Sequence, residues 1–378
     1  IEVREARIDW KALIERERAM IAHIPEAMAG VAEKRGDVYR GEARFVGPRT
    51  IEVDDRRLEG TDIVIATGSI PRPLPIEGAG HLVTSDDILS DPQQPASVVF
   101  IGGGVIAFEF GHVYRRAGTA VTVLEVLDDV LPRMDRDAVG QMLEESARIG
   151  INVHTGVSVD RIRIEDGLFV VDYAENGQRR TVAVDRVING AGRIPNVAHL
   201  DLAAADVRHD EGRIDVDEFL RSRSNPHVWV AGDALAYTPQ LSPVATYEGE
   251  IVGTNIVDGP SVQPDYAIVP SAVYTVPARA SVGLTEAEAS QRGIDVDVRV
   301  NDMRDWFSGQ SYAESVAWSK VLVDRANGQV VGAHLVGHRG EDLIHLFALA
   351  MRHGLRAQDL NTELYAFPTF ASDIKNLV

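Results

Sequence analysis

Apolar and polar positions alternate with different periods along the chain. Over residues 9–34, Trp10, Leu13, Ile14, Ala19, Ile21 and Ile24 recur at three- and four-residue steps with charges between them. That spacing predicts a long amphipathic helix, which Pro25 kinks or breaks. Residues 38–46 and 50–53 flank Gly47-Pro48 and read as a hairpin. Residues 62–66 form a short buried strand that ends at Thr67-Gly68-Ser69, and Pro71, Pro73 and Pro75 mark a linker.

A different rhythm starts near residue 96. Residues 98–101 read as a strand, 102–104 as a Gly-rich turn, 105–117 as a helix and 120–124 as a second strand. This is a βαβ unit. A helix at 136–149 and further strands lead to the run at 187–192. A strand at 227–231 precedes Gly232-Asp233 and a helix over 243–257. Beyond residue 265 the pattern predicts strands followed by two helices, the second near 341–353. There is no low-complexity tract and no short-period repeat.

Length and composition narrow the class. A chain of 378 residues exceeds what one hydrophobic core usually serves, so two or three domains are expected. Hydrophobic residues at 45% and charged ones at 25% exclude a disordered or fibrous chain. A net charge of −19 argues against nucleic acid or anionic membrane as partner. The sequence contains no cysteine, hence no disulfide, Cys-bound zinc or cysteine nucleophile among these residues. No apolar run approaches the roughly 20 residues of a membrane helix, and no signal peptide is visible, so a cytoplasmic site is expected. The first residue is Ile1, in a polar stretch, which reads as a fragment or a chain whose natural beginning lies upstream.

Gly102-Gly103-Gly104-Val105-Ile106-Ala107 fits G-x-G-x-x-G/A. The first Gly makes the turn, the second lets a pyrophosphate approach the backbone, and the small third residue lets helix and strand pack. The helix start offers free N–H groups and partial positive charge to phosphate. Glu125 ends the next strand, where a carboxylate accepts from ribose hydroxyls and repels a 2′-phosphate. No Arg lies within 126–130 to offset it, so NAD is expected ahead of NADP, with Arg133 further on softening the preference. Thr67-Gly68 reads equally as a plain strand-end turn. Gly232-Asp233 is placed to bind a polyol hydroxyl or to cap a helix. Arg193, after Gly192, is a phosphate or carboxylate clamp or a solvated loop residue.

Taken together, Ala66-Thr67-Gly68, Gly102-x-Gly104-x-x-Ala107 with Glu109, Ala191-Gly192-Arg193-Ile194-Pro195-Asn196 and Ala231-Gly232-Asp233 resemble a known family. It is the class I pyridine nucleotide-disulfide oxidoreductases, the flavoproteins of glutathione reductase and dihydrolipoamide dehydrogenase type. The resemblance extends through Leu241-Ser242-Pro243-Val244-Ala245 and through residues 270–285, which look like the start of the family's dimerisation domain. It implies an α/β fold of doubly wound FAD- and NAD(P)-binding domains with a C-terminal α+β dimerisation domain. It also implies FAD, NAD and a homodimer. The implied division is 1–95 and 193–262 for the FAD domain, 96–192 for the NAD(P) domain and 263–378 for dimerisation. Carried onto this sequence, Thr67, Gly68, Gly232 and Asp233 lie along FAD, and Ser242 and Ala245 bring a helix start near the flavin pyrimidine. Gly102, Gly104, Ala107 and Glu125 hold NAD. Glu109 matches the family's glutamate beside the nicotinamide, which pairs with an upstream lysine.

The sequence departs from the family in three places. The family's own N-terminal G-x-G-x-x-G, Cys-x4-Cys pair and lysine are not in these residues. The C-terminal His-Pro-Thr-x-x-Glu pattern is here Phe367-Pro368-Thr369-Phe370-Ala371-Ser372, which cannot transfer a proton or orient a base as the family's pair does. Ala278 stands where an acidic residue follows the proline of the T-x-P run. None of the eleven histidines falls at the family's position, and His334, His338, His345 and His353 read as surface or core residues. The expected activity is hydride transfer from nicotinamide to flavin and on to a small non-disulfide acceptor such as a quinone. Two alternatives stay open: a disulfide or metal-ion reductase whose cysteines lie upstream, and a non-catalytic cofactor-binding scaffold.

Overall fold

A computed structural model describes residues 7–378. The chain divides into two compact units, one built on Pro73–Gly192 and Ala267–Val378 together with described residues up to Ile14, the other on Glu15–Arg72 and Arg193–Tyr266.

The first unit contains a parallel sheet of β1 (Ser97–Ile101), β2 (Ala120–Leu124), β3 (Ile151–His154) and β4 (Arg186–Asn189), in the order β4-β1-β2-β3. Strands covered on both faces need continuous apolar runs, and Val98, Val99 and Phe100 are accordingly buried. Helix α1 (Val105–Arg116) follows β1, and α2 (Arg136–Ile149) starts from the Asp135 N-cap, whose carboxylate accepts from the Ala138 N–H at 3.1 Å. A three-stranded antiparallel meander (Ser158–Glu165, Leu168–Glu175, Gln178–Val184) extends this part. Trp10 packs in the same core, its ring stacked on Tyr114 at 5.2 Å and its Nε1–H donating to Asp91 O at 2.9 Å.

The C-terminal part of this unit is an antiparallel sheet of β5 (Ser271–Val273), β6 (Ala278–Gly283), β7 (Val296–Asp302), β8 (Trp318–Asp324) and β9 (Val330–Gly337), in the order β5-β6-β9-β8-β7. Ala280, Val282, Ala333 and Leu335 pack with Ile344 and Phe347 of helix α3 (Gly340–Arg352). The opposite face carries Lys320, whose ammonium donates to Asp135 and Glu286 at 3.1 Å each. Helices are interleaved with the strands here rather than following them. The short one at Glu286–Gln291 is set by a Thr285/Glu288 capping box, a local signal that apolar periodicity does not carry.

In the second unit, Ile63–Ile65 pairs in parallel with Val228–Val230, and the helix Ser242–Asp258 follows. The expected 9–34 helix is two helices, Trp10–Ile21 and Ile24–Glu33, with Pro25 in the first turn of the second, where its missing N–H costs nothing. The hairpin of Ala43–Gly47 and Thr50–Val53 gains a third strand, Arg56–Glu59, hidden in the sequence by its charged side chains. Phe45, Ile65, Leu220, Trp229 and Ile251 form the core. Among the described residues no helix is long and apolar enough to cross a membrane, and no group of three His, Asp or Glu side chains could hold a metal ion.

Candidate functional site

The Gly-rich turn joins β1 to α1. Gly102 sits at φ +103°, and a Cβ there would lie 2.5 Å from Ala191 Cα and N. A Cβ on Gly104, the residue before the helix, would lie 3.0 Å from Gly190 O. Ala107 is fully buried, and a larger third residue would meet Gly190, whose added Cβ would already lie 3.4 Å from the Ala107 methyl. The turn is thus pressed against the backbone that follows β4, leaving the first N–H groups of α1 without intrahelical acceptors. A nucleotide diphosphate fits that donor set.

Glu125 braces the turn. It is buried, and its carboxylate accepts from the Gly103 N–H at 2.5 Å and the Leu127 N–H at 2.8 Å. A carboxylate offers about four lone-pair sites, so acceptor capacity remains for hydroxyls. Gly103 is also required: a Cβ there would lie 2.6 Å from Val130 Cγ1 and 3.2 Å from the Glu125 carboxylate. The alternation of glycines and small residues did not single out Gly103.

One side of α1 presents Glu109, His112 and Arg116 to the Tyr274–Val276 segment between β5 and β6. Glu109 Oε1 accepts from the Tyr274 N–H at 2.8 Å. Burial raises its carboxyl above the ordinary value, and the Tyr274 N–H opposes that rise. His112 Nδ1 accepts from the Val276 N–H at 3.2 Å, and Arg116 donates to Val276 O at 2.7 Å.

In the second unit, Gly68 and Gly232 both adopt φ +70°. The Gly232 N–H donates to the buried Glu248 at 2.7 Å, and Ser69 Oγ–H donates to Asp233 at 2.9 Å. Arg193 is held by Ser69, donating to its Oγ at 2.9 Å and its O at 2.7 Å, so its guanidinium is committed locally. Gly192, at φ +92°, ends the Pro73–Gly192 segment of the first unit. Thr67 is exposed, and its carbonyl accepts from Asn196 Nδ2 at 3.3 Å. A cleft of about 370 Å³ is lined by Val64, Gly68, Gly232, Asp233 and Ala245. Ser242 opens the following helix. Small side chains, one carboxylate and a helix start suit the ribityl chain and ring edge of a flavin.

The C-terminal segment is built differently. Phe367 is 72% exposed and packs on Phe307 at 5.6 Å. Ser372 is buried, and its Oγ–H donates to Thr369 O at 2.6 Å. A cavity of about 400 Å³ is lined by Phe307, Tyr312, Phe367, Phe370, Thr369 and Asp373, and among the described residues no Lys, Arg or His lines its wall. Ser308 donates to Asp373, and burial raises the Asp373 carboxyl. Behind Phe370, His338 stacks on Tyr312 at 4.6 Å and lies 3.3 Å from Glu314. Of the other C-terminal histidines, His334 is buried with Nε2 donating to Leu284 O at 3.0 Å, while His345 and His353 are exposed.

A family model described as pyridine nucleotide-disulphide oxidoreductase matches residues 11–249, and the model of that family's dimerisation domain matches 269–378. The chain belongs to this family. It is an FAD- and NAD(P)H-dependent oxidoreductase with the α/β fold and C-terminal dimerisation domain that the sequence motifs implied. A glutathione reductase of Burkholderia cepacia is 31% identical over 97% of this chain and 81% of its own length. A mercuric reductase of Staphylococcus aureus is 30% identical over 97% of this chain and 68% of its own. Among solved structures, the HOCl-induced flavoprotein disulfide reductase RclA from Escherichia coli superposes with a TM-score of 0.89 at 23% identity. That match covers 98% of this chain and 86% of RclA, and it speaks to the fold alone.

Proposed function

We propose that this oxidoreductase works as a homodimer and passes reducing equivalents from NADH to a small, planar, uncharged acceptor that is not a disulfide. The observation that carries this reading is the segment Phe367–Ser372. The general acid/base of a thiol enzyme has no counterpart there: Phe367 has no proton to give, and the Ser372 hydroxyl is spent on Thr369 O. The adjoining cavity is aromatic and carries no cation on its wall, so it does not favour a substrate bearing several carboxylates. Ring faces and edges favour a planar aromatic instead.

When bound, FAD supplies two-electron exchange with both nicotinamide and acceptor. Gly102, Gly104, Ala107 and Glu125 hold the dinucleotide against α1, and Gly192 belongs to the backbone turn beside it. Thr67, Gly68, Gly232, Asp233, Ser242 and Ala245 line the flavin, with Arg193 bracing Ser69 and, through it, Asp233. Glu109 stands at the nicotinamide end as a carboxyl able to take or release a proton. The division into an FAD domain (1–95 and 193–262), an NAD domain (96–192) and a dimerisation domain (263–378) belongs to the same reading, as does a cytoplasmic site.

The second reading, a disulfide or metal-ion reductase, is favoured by the names of the relatives at 30–31% identity. One assay separates the two. The FAD-loaded protein is supplied with NADH and offered glutathione disulfide, lipoamide, mercuric ion and a quinone in parallel. Quinone reduction with no disulfide or mercuric turnover is expected. Rapid disulfide turnover that survives Phe367→Ala would reverse the assignment.

A further inference from the structure

We propose that His112 is a positioning residue that holds the Tyr274–Val276 segment so that the Tyr274 N–H stays against the Glu109 carboxylate. The inference rests on the reading above only for what Glu109 does; the positioning itself stands on geometry.

The imidazole is fully buried between three elements. Its Nδ1 accepts from the Val276 N–H at 3.2 Å, and its Nε2 lies 2.9 Å from Ser146 Oγ on α2. The Ser146 hydroxyl proton is already committed to Met142 O at 2.8 Å. Ser146 therefore accepts, Nε2 carries the proton and Nδ1 is bare, a neutral tautomer with both nitrogens used. A second proton on the ring would set two N–H groups against each other at Val276.

Glu109, His112 and Arg116 lie at three- and four-residue steps, on one side of α1. The connector has three backbone groups tied to that side: the Tyr274 N–H to Glu109, the Val276 N–H to His112 and Val276 O to Arg116 at 2.7 Å. Arg116 in turn donates to the buried Glu145 of α2 at 3.2 Å, and Arg148 donates to the same carboxylate at 2.6 Å. Seen from His112, burial is the largest influence and disfavours the imidazolium; of the charged neighbours, Arg116 acts in the same direction and Glu145 opposes them. Glu109 is perturbed by burial and by the Tyr274 N–H, with no charged side chain among the causes. A backbone donor two residues from the His112 anchor is therefore the handle on the Glu109 carboxyl.

The test follows the Glu109 carboxyl directly in the folded chain. Side-chain carboxyls labelled with ¹³C are titrated by NMR, the Glu109 signal being the one lost in Glu109→Gln. In His112→Ala the Tyr274 donor is released, and the Glu109 midpoint is expected to rise by about half a pH unit or more. His112→Asn places an amide oxygen near the Nδ1 position and is expected to restore the midpoint. Ser146→Ala, a milder change that keeps the helix, frees Nε2 and should raise the midpoint by a smaller amount. A Glu109 midpoint unmoved in folded His112→Ala, or in Ser146→Ala should the first variant not fold, would overturn the proposal. NADH dissociation constants measured across the same pH range separate the two ideas. A midpoint that moves while NADH affinity stays flat retains the positioning role and removes Glu109 from the nicotinamide site.

Discussion

The Gly-rich turn at 102–107 and the aromatic segment at 367–373 are both short, and both lie where a cofactor or substrate is expected. They are specified in opposite ways. The turn is fixed by what cannot fit: a methyl on Gly102 would lie 2.5 Å from the Ala191 backbone, and one on Gly103 2.6 Å from Val130. The C-terminal segment is fixed by what happens to meet. Phe307, Tyr312, Glu314 and His338 arrive from elsewhere in the chain to pack around or behind Phe367 and Phe370. Steric exclusion writes itself into a few adjacent letters, whereas assembled side chains leave letters scattered over dozens of residues.

Gly102→Ala gives that contrast its sharpest test. The left-handed φ and the backbone clash both oppose a Cβ, and relief would require β1 to part from the 190–191 backbone. A stability loss of about 2–4 kcal/mol in urea unfolding is expected, with NADH binding lost in titration. A variant that unfolds like the parent and still binds NADH would show that the turn is not sterically determined.

The same contrast explains what the sequence disclosed. The βαβ unit, the place of Glu125 after its second strand and the strand–Gly–Asp run at 227–233 are legible because each is local, and a local constraint fixes residue type. The third strand, Arg56–Glu59, is not, because its side chains are charged and mostly exposed and carry no apolar alternation. Glu248 was missed although it is fully buried and holds the Gly232 N–H. An acidic residue on the inner face of an apolar helix is the signal that could have found it. His112 was invisible for a plainer reason: its partners, Ser146 and Val276, are distant in sequence and come together only on folding. The pairing of His338 with Glu314 was hidden in the same way.

A pH experiment sharpens the comparison on the assembled side. Burial holds the His112 imidazole down to about 4, against an ordinary value of 6.5. Between those values the unfolded chain binds a proton that the folded chain refuses, so this residue's stability contribution is complete above pH 6.5. It is lost progressively as pH falls from 6.5 to about 4, where the folded chain takes up the proton as well. The size is on the order of 3 kcal/mol. Urea midpoints from pH 4 to 7.5 should fall more steeply for the parent than for His112→Asn, which does not titrate. The difference between the two curves cancels the carboxylates common to both. Parallel curves would mean that the imidazole is charged or solvated when folded.

Glu125→Gln is expected to have a smaller effect, because the amide keeps one of the two acceptor oxygens while losing the charge. One of the two backbone bonds, from Gly103 or Leu127, meets an NH₂ group instead of an acceptor. A cost of about 1–2 kcal/mol in urea unfolding is expected. The ratio of kcat/KM for NADH over NADPH should drop by about tenfold as the repulsion of a 2′-phosphate is removed. An unchanged ratio would leave Glu125 as a brace for the turn and nothing more.

The smallest structural effect belongs to Phe367→Ala. Its ring is 72% exposed and touches Phe307 on one side, so truncation opens no sealed cavity in the chain. Stability within about 0.5 kcal/mol of the parent is expected. The functional consequence should run the other way. If the ring forms one wall for a planar acceptor, losing its face lowers acceptor affinity by about 0.5–1.5 kcal/mol, which raises quinone KM by about two- to tenfold. NADH binding should stay unchanged. Gly102→Ala damages fold and cofactor together because the turn has no slack, whereas an exposed ring can change substrate preference with almost no penalty to folding. A Phe367→Ala protein that loses stability while keeping its quinone KM would place the ring in packing, and the acceptor would have to be sought at another wall of the cavity.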